Sequence, residues 1–269
     1  MGVRSVENLG FGGDMSGINL NGKCVWLTGA SSGIGEALAL ELASRGAKLA
    51  ITARRAEVLE QLVARIRAKG GEAWSFPGDV LNLDQMKQVV AAIELNIAPI
   101  DLAIPNAGTH LFTVPESFDC AEYLFVMQLN YGGMLHCIEA VLPGMLARKR
   151  GYLAPVASLA GYRGLPRAAA YGASKSAMIH FLESIRFHLK SKGVTISIVN
   201  PGFVRTPLTD KNDFHMPFIV DADQAARIIC QGIERGKREI AFPFPFNWIL
   251  KLARILPDAI YERIVDRLW

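Results

Sequence analysis

Short apolar runs alternate along the chain with longer segments in which apolar residues recur at the helical period. The short runs predict seven β-strands, at Cys24 to Thr28, Lys48 to Thr52, Ala73 to Phe76, Leu102 to Ile104, Tyr152 to Val156, Thr195 to Val199 and Glu239 to Phe242. The longer segments predict helices at Ile34 to Arg45, Ala56 to Lys69, Leu83 to Asn96, Phe118 to Leu146, Ala168 to Lys190 and Ala222 to Arg235, the last capped by Asp221. This alternation is typical of βαβ units, so we expect an α/β fold with one doubly wound, seven-stranded, mainly parallel sheet and helices on both faces.

The same alternation predicts a single domain over residues 21–243, with a shorter segment on each side. Residues 1–20 are rich in Gly, Ser and Asn and lack the apolar core of a secretion signal, so we expect a flexible tail in which Met15 is a candidate start. Residues 244–269 mix apolar residues with basic and acidic ones. They predict an amphipathic helical extension that packs on the domain, on a second subunit or on a membrane surface.

Composition and charge exclude several classes of function. The 29 basic and 25 acidic residues are spread along the chain without a basic block interleaved with aromatic residues, which argues against a nucleic-acid partner. The 4 cysteines form no CxxC pair, which favours a reducing compartment and no bound metal. No apolar run reaches the length of about eighteen residues that a membrane-spanning helix needs. We therefore expect a cytoplasmic protein, with at most peripheral membrane contact through its C-terminal extension.

A glycine-rich segment, TGASSGIG at residues 28–35, follows the first predicted strand and opens the first predicted helix. Glycine permits a positive φ and lets backbone amides approach a pyrophosphate, and a helix amino terminus favours negative charge. A Gly/Ser loop can also lack a special role, but the strand-to-helix setting favours dinucleotide binding and a Rossmann-type fold. The candidate cofactor ligands in this loop are Gly29, Ser31, Ser32, Gly33, Ile34 and Gly35.

The end of the second predicted strand carries Arg54 and Arg55, where a chain that binds NAD(H) usually has an acidic residue for the ribose 2′-hydroxyl. A guanidinium group holds a 2′-phosphate, whereas a carboxylate repels it. The pair therefore favours NADP(H) over NAD(H). Two solvated arginines at a helix start are the alternative.

Tyr171 and Lys175 lie four residues apart in a predicted helix, so their side chains project from the same face. A phenol has an ordinary pKa of ~10, and a neighbouring ammonium lowers this pKa towards the working pH. Such a pair is by itself common on protein surfaces. Ser158, which follows the fifth predicted strand, can hold a reacting oxygen with its hydroxyl or simply cap a turn. The three side chains are the candidate acid/base group and its neighbours.

Together these motifs resemble the short-chain dehydrogenase/reductase family, over about Asn21 to Phe242. The resemblance rests on the glycine loop, Asn106-Ala107-Gly108, Asn130, Ser158, YGASK at residues 171–175, and Asn200-Pro201-Gly202 followed by Thr206. Two positions depart from the family pattern, since Pro105 stands where Asn is usual and Ala157 where Ser is usual. We expect these departures to tune substrate choice at most.

The resemblance implies an oxidoreductase in which Tyr171 exchanges a proton with the substrate oxygen, Ser158 fixes that oxygen, and Lys175 holds the nicotinamide ribose and tunes Tyr171. Asn130 would keep a water in the proton path behind Lys175. The further cofactor contacts that the resemblance implies are Asp79, Val80, Asn106, Ala107, Gly108, Pro201, Gly202 and Thr206. It also implies a homodimer or homotetramer assembled through the helices that carry Asn130 and Tyr171.

The segment after the sixth predicted strand contains a set of large apolar residues among few charges, which predicts an apolar substrate pocket. This set is Phe203, Leu208, Phe214, Met216, Phe218 and Ile219. His110 and His215 are candidates to face the substrate, but a lone histidine in a loop is more often solvated, and we expect them to be solvated.

The sequence therefore predicts an NADP(H)-dependent carbonyl reductase or secondary-alcohol dehydrogenase that acts on a small apolar substrate. Two alternatives are a dinucleotide-binding sensor or scaffold without turnover, and an epimerase or dehydratase. The first alternative would typically have lost Tyr171 or Lys175. The second typically has a different glycine spacing and a larger C-terminal substrate domain.

Overall fold

The computed structural model describes residues 17–112, 115–210 and 216–268. Most of the N-terminal tail, the candidate start Met15, and the pocket candidates Phe214 and His215 lie outside these residues.

A parallel sheet of six strands forms the centre of the fold, in the order β3-β2-β1-β4-β5-β6. Its strands are β1 (Cys24–Thr28), β2 (Lys48–Thr52), β3 (Glu72–Ser75), β4 (Leu102–Ile104), β5 (Gly151–Leu153) and β6 (Val194–Ile196). Two smaller parallel pairs lie beyond it, namely β7 (Ile198–Pro201) with β10 (Glu239–Phe242), and β8 (Val204–Arg205) with β9 (Val220–Asp221).

Helices cover both faces of the sheet. They are α1 (Gly33–Ser44), α2 (Ala56–Ala68), α3 (Leu83–Asn96), α4 (Cys120–Met127), α5 (Gly133–Ala147), α6 (Ala169–Lys190), α7 (Ala222–Glu234), α8 (Phe246–Ala253) and α9 (Asp258–Leu268). Side chains of β1 alternate between the faces: Val25 and Leu27 join the core under α1, α2 and α7, whereas Trp26 joins the core under α3, α5 and α6. A strand buried on both faces has no alternation of apolar and polar positions, which explains why the run CVWLT is apolar up to its last residue, Thr28. The expected α/β fold with helices on both faces is confirmed.

The predicted count of seven strands in one sheet is wrong, because the sixth predicted strand is divided at Ser197. The first half, β6, pairs with β5, and the second half, β7, pairs with β10. The Ser197 hydroxyl lies 2.6 Å from Tyr152 Oη and donates to Lys237 O at 2.5 Å. A single bridge between Val156 and Val199 keeps the second half beside the chain that follows β5. The strand therefore changes its partner at a buried hydroxyl.

The long helix predicted from Phe118 to Leu146 contains a π-helical turn at Gln128–Gly132, between α4 and α5. A π turn adds one residue to a helical turn and is often found at functional sites. Asn130, which the resemblance singles out, lies inside this turn and is fully buried.

The two C-terminal helices contact the main domain through side chains. On α8, Leu250 and Ala253 are buried, and the Asn247 amide donates to Ala241 O of β10 at 2.9 Å. The Lys251 ammonium lies 2.5 Å from the Glu239 carboxylate. None of the helices among the described residues is both long and apolar enough to cross a membrane.

Candidate active site

The glycine loop between β1 and α1 leaves no room for side chains. Gly29 and Gly33 have φ values of +68° and +58°, which side-chain-bearing residues rarely adopt. A Cβ on Gly29 would lie 2.7 Å from Ala107 Cα, and a Cβ on Gly35 would lie 2.7 Å from Asn106 Nδ2. Only glycine therefore allows the loop to lie directly against the chain that follows β4.

Asn106 ties these two segments together. Its side-chain amide donates to Thr28 O at 3.1 Å and to Gly29 O at 3.2 Å, and its backbone amide donates to Thr28 Oγ1 at 3.1 Å. The Thr28 hydroxyl also accepts from the backbone amide of Ala107 at 3.3 Å. Because the polar atoms of Asn106 are used in this way, the residue shapes the loop from behind.

The amino terminus of α1 faces the space above the loop. Ser32, its N-cap, makes no side-chain capping hydrogen bond, so the first turn of the helix keeps amide groups for another acceptor. Arg55 reaches over the loop and donates from Nη2 to Ser31 Oγ at 3.0 Å and to Ser31 O at 3.3 Å. Arg54 is exposed beside it. This end of the site thus offers two guanidinium groups and a helix terminus to an anion.

The loop after β3 closes the next part of the site. The backbone amide of Asp79 donates to Gln85 Oε1 at 2.9 Å, and the Asp79 carboxylate accepts from the Leu81 amide at 3.0 Å. His136 on α5 donates from Nδ1 to Val80 O at 2.7 Å, because a carbonyl oxygen can only accept. Sequence reasoning missed His136, which lies in a helix far from every motif.

A single cleft of about 790 Å³ runs along the carboxyl ends of the strands. Every cofactor candidate named from the sequence lines it: Gly29, Ser31, Ser32, Gly33, Ile34, Gly35, Arg54, Arg55, Asp79, Val80, Asn106, Ala107, Gly108, Tyr171, Lys175, Pro201, Gly202 and Thr206. Ser158 lines it as well, whereas Asn130 is not among the lining residues that the structure describes. The size and the lining fit an extended dinucleotide, with its anionic groups at the glycine loop.

Tyr171, Lys175 and Ser158 meet at one end of the cleft. The Lys175 ammonium lies 5.6 Å from the centre of the Tyr171 ring and donates to Val156 O at 2.9 Å. Ser158 Oγ accepts from the Ala160 amide at 3.1 Å and donates to Pro201 O at 3.3 Å. These contacts hold Lys175 and Ser158 against β7 and the segment after β5, beside Tyr171.

Burial controls the acid/base properties of the pair. It raises the pKa of the Tyr171 phenol, although a hydrogen bond with Ser158 acts in the opposite direction. Burial also lowers the pKa of Lys175 to about 7. The expected lowering of the Tyr171 pKa by a neighbouring ammonium is therefore wrong in direction, because burial raises the pKa of the phenol more than the hydrogen bond with Ser158 lowers it. Tyr171 consequently keeps its proton at neutral pH.

Asn130 lies behind the cleft and braces it. Its Oδ1 accepts from the Thr109 amide at 2.7 Å, and its Nδ2 donates to Thr109 O and to Ser174 Oγ, both at 2.9 Å. Ser174 in turn donates to Tyr171 O at 2.7 Å. The π turn thus connects the loop after β4 with the helix that carries Tyr171 and Lys175.

The two departures from the family pattern leave the backbone of the site intact. The carbonyl oxygen of Pro105 accepts from the Val156 amide at 2.9 Å, and the Ala157 amide donates to Val199 O at 2.7 Å. Since proline lacks only a donor, both segments keep the hydrogen bonds that position Ser158.

A second, smaller pocket of about 120 Å³ lies on the other side of Tyr171 and Ser158. Its apolar walls include Leu159, Leu165, Phe203, Leu208, Phe246 and Leu250. Of the apolar residues expected here, Phe203 and Leu208 line the pocket, and Phe203 stacks on Phe246 with ring centres 5.6 Å apart. Phe218, which is not among the described lining residues, packs on Phe246 with ring centres 6.1 Å apart. Met216 and Ile219 are not among the described lining residues.

One part of this pocket was predicted wrongly from the sequence, and another was missed. His110, which we expected to be solvated, packs against Tyr171 with ring centres 4.8 Å apart and lines the pocket, so that expectation is wrong. Its position two residues after Gly108, at the same sheet edge as the motifs, could have revealed it. Phe246 and Leu250 come from α8, and no local signal connects them with Tyr171.

Comparisons with known proteins agree with this geometry. Residues 23–216 match the family described as short chain dehydrogenase. An uncharacterized oxidoreductase of Myxococcus xanthus is 36% identical over 242 residues, which cover 90% of this chain and 96% of that protein. The 11-beta-hydroxysteroid dehydrogenase-like 2 protein of Arabidopsis thaliana is 32% identical over 249 residues, covering 90% of this chain and 80% of that protein.

Solved structures share the fold. A short chain dehydrogenase/reductase of Burkholderia phymatum, in complex with NAD, has a TM-score of 0.81 at 24% identity, covering 88% of this chain and 94% of its own. A single-residue variant of actinorhodin polyketide ketoreductase with NADPH has a TM-score of 0.75 at 26% identity, covering 82% and 95%. One neighbour thus holds NAD and the other NADPH. The sequence match, the relatives and the shared fold agree that this chain belongs to the short-chain dehydrogenase/reductase family and is an NAD(P)-dependent oxidoreductase.

Proposed function

We propose that this protein is an NADP(H)-dependent carbonyl reductase or secondary-alcohol dehydrogenase that acts on a mostly apolar substrate. The observation that carries the proposal is the position of Tyr171 and Ser158, which border both the large cleft and the small apolar pocket. A substrate oxygen in the small pocket can contact both hydroxyl groups while its carbon faces the cleft. This is the arrangement that hydride transfer between two bound molecules needs.

The residues of the large cleft fit NADP(H). The glycine loop and the α1 amino terminus suit the pyrophosphate, and Asp79 and Val80, which line the same cleft, would flank the adenine. Arg54 and Arg55 suit a 2′-phosphate, since no acidic side chain stands at this end of β2. Lys175 and Thr206 border the part of the cleft nearest Tyr171, where they would hold the nicotinamide ribose and carboxamide.

When bound, the nicotinamide supplies a hydride to the carbonyl carbon or accepts one from the alcohol. The chain supplies the proton and the orientation. Tyr171, whose pKa is raised by burial, is protonated at neutral pH and donates to the carbonyl oxygen, while the Ser158 hydroxyl holds that oxygen in place. Asn130 keeps the Thr109 and Ser174 contacts that position Tyr171, and we assign to it the water in the proton path behind Lys175.

The acid/base role of Tyr171 is tested by NADPH oxidation with a panel of apolar ketones and aldehydes. We expect Tyr171→Phe to lower kcat about 100-fold or more, the usual contribution of a general acid. Tyr131→Phe is the matched control, because Tyr131 lies in the π turn and packs on Phe181. Turnover that survives Tyr171→Phe contradicts the proposal. Wild-type protein that binds NADPH but reduces no carbonyl compound supports the sensor or scaffold alternative.

The preference for NADP(H) is tested by the affinities for NADPH and NADH. We expect Arg54→Ala and Arg55→Ala each to weaken NADPH binding about tenfold and to leave NADH binding unchanged, because each removes a charge-assisted phosphate contact. Arg235→Ala, at the exposed end of α7, is the control. An unchanged ratio of the two affinities in both variants removes the argument for NADP(H).

We also propose a cytoplasmic homodimer or homotetramer, assembled through the helices that carry Asn130 and Tyr171. Large apolar side chains on α4 and α6 support this, since Leu124, Phe125 and Phe187 are 62%, 46% and 82% exposed. Light scattering of Phe187→Glu checks the oligomeric state, and we expect a shift to a smaller species.

The C-terminal segment could also contact a membrane surface. The exposed Trp248 and Ile255 in and after α8 support this contact, which liposome flotation tests.

A further inference from the structure

His110 is a polar side chain in the wall of the apolar pocket, next to the reacting groups. It lies in the loop that follows β4, and its ring centre is 4.8 Å from that of Tyr171 and 5.0 Å from that of Phe112. The pocket that it lines also contains Ser158 and Tyr171. A substrate oxygen held by those two hydroxyls would therefore lie within a few ångströms of the His110 ring.

The ring nitrogens of His110 make no hydrogen bond to any other described residue, and the ring packs on Tyr171 and Phe112. The other polar side chains of the pocket wall are committed or exposed. Thr209 donates its hydroxyl to Val204 O at 2.7 Å, and Arg167 lies at the solvent edge with its guanidinium over the Phe112 ring. Among the described residues of the pocket wall, His110 is thus a polar group that the proposed reaction does not use.

The charge state of His110 limits which chemical groups of a substrate can bind its ring nitrogens. Burial lowers the pKa of His110 from its ordinary value near neutrality, so the imidazole is neutral at pH 7. A neutral imidazole carries one N–H donor and one acceptor nitrogen. Its complement in an apolar pocket is a neutral oxygen, either a carbonyl that accepts or a hydroxyl that does both. A carboxylate would be better matched by a charged group.

We propose that His110 binds a second, neutral oxygen of the substrate, and that the preferred substrates carry a carbonyl or hydroxyl group one or two carbons from the reacting carbon. This inference rests on the proposed function, because it places the reacting oxygen at Tyr171 and Ser158. α-Hydroxy ketones, 1,2-diketones and β-keto esters with an apolar body belong to this class. Simple ketones of the same size leave the imidazole without a partner when they displace water from it.

The test compares matched substrates rather than single rates. Purified protein is assayed with NADPH on cyclohexanone and on 2-hydroxycyclohexanone, and kcat/KM is measured for the wild type and for His110→Phe and His110→Asn. Phenylalanine keeps the aromatic packing on Tyr171 and Phe112 but has no polar atom. Asparagine keeps a donor and an acceptor but loses the ring.

We expect His110→Phe to lower kcat/KM for the hydroxy ketone about tenfold, chiefly through KM, and not to lower kcat/KM for cyclohexanone, because the variant no longer has an imidazole that a simple ketone leaves unpaired. His110→Asn should keep part of the preference. A substrate ratio that His110→Phe leaves unchanged overturns the inference. Equal losses on both substrates overturn it too, because they would mean that the ring only supports Tyr171.

These outcomes are distinct from a failure of the proposed function. If the wild type reduces neither substrate nor any other carbonyl compound, the reductase itself is refuted. If the wild type reduces both in a Tyr171-dependent way and the His110→Phe ratio is unchanged, only the second oxygen is refuted. A thermal melt of each variant with NADPH shows that the fold and the cofactor cleft are intact.

Discussion

The large cleft, which we assign to the cofactor, and the small pocket, which we assign to the substrate, meet at Tyr171 but are lined by different kinds of groups. The cleft is lined largely by main chain and small residues at strand ends, and hydrogen bonds such as those of Asn106 and Asn130 hold it together. The pocket is made of larger side chains from loops and from α8, which lies outside the central sheet. The shape of the cleft depends mainly on the backbone. The shape of the pocket depends on side chains, which substitutions can change.

The contacts that hold α8 and α9 on the rest of the protein are an example of a region held by side chains. Arg163, in the loop after β5, donates to Ala253 O at 2.8 Å, to Leu256 O at 2.6 Å and to the Asp258 carboxylate at 2.6 Å. Its guanidinium also lies 4.2 Å from the centre of the Tyr261 ring. A single side chain thus joins the C-terminal helices to the loop that carries pocket residues. The difference between the regions indicates that cofactor binding is intolerant of small changes, whereas substrate choice is adjustable.

The largest expected effect follows from adding one methyl group to the cleft. Gly29→Ala places a Cβ at a φ of +68° and 2.7 Å from Ala107 Cα, so the loop and the chain after β4 must move apart. We expect dinucleotide affinity, measured by fluorescence titration, to fall about 100-fold or more. Gly70→Ala is the matched control, since its φ is +80° but nothing lies within 4 Å of the added Cβ. If both variants lose affinity equally, backbone strain rather than close approach explains the loss.

A smaller effect is expected when the C-terminal helices are loosened. Arg163→Met removes three charge-assisted hydrogen bonds, so we expect KM for an apolar ketone to rise about fivefold while the affinity for NADPH stays unchanged. Amide hydrogen exchange in residues 246–268 should speed up at the same time. Asp258→Asn, which weakens only an ion pair to a 91% exposed carboxylate, should change KM little. Loss of NADPH affinity in Arg163→Met would show that the two regions are not independent.

A third effect concerns stability rather than affinity, and it is a pH-dependent difference that originates in the cleft. Burial lowers the pKa of Lys175 to about 7, whereas the unfolded chain has the ordinary value of 10.5. Between these values the unfolded state binds the extra proton, so rising pH favours the folded wild type. Relative to Lys175→Met, its free energy of unfolding should increase by up to ~1.4 kcal/mol per pH unit from pH 7 to 10.

Chemical denaturation at several pH values measures this difference. Lys190→Met, at an exposed position on the same helix, serves as the control for the loss of a lysine side chain. A flat profile for Lys175→Met would mean that the buried ammonium is fully compensated in the folded protein. In that case the free energy of unfolding would show no cost of burying the Lys175 ammonium, and this property would not distinguish the cleft from the pocket.

The fold was largely predictable because each element leaves a local mark. The apolar run of β1 and the 3.6-residue period of α2 or α7 are properties of neighbouring residues. The division of a strand at Ser197 was not predictable, since the choice of a hydrogen-bonding partner does not alter the apolar pattern. The same holds for the π turn, whose sequence continues the helical period.

The candidate site, like the fold, has a part that was predictable from the sequence and a part that was not. The motifs at Gly29, Asn106, Ser158 and Tyr171 could be placed together because parallel strands bring their carboxyl ends to one edge. Phe246 could not, because it reaches the pocket from a helix 75 residues away from Tyr171 along the chain. The direction of the Tyr171 pKa shift was also beyond the sequence, since it depends on how much water the folded chain removes.

The π turn at Gln128–Gly132 has an evolutionary consequence. A π turn amounts to one inserted residue in an α-helix, and one residue corresponds to a rotation of about 100° around the helix axis. Deleting a single residue here would let α4 and α5 merge into a regular helix, but the Asn130 amide would turn away from Thr109 and Ser174. Insertions and deletions should therefore be tolerated in the loops around this helix and rejected within these five positions.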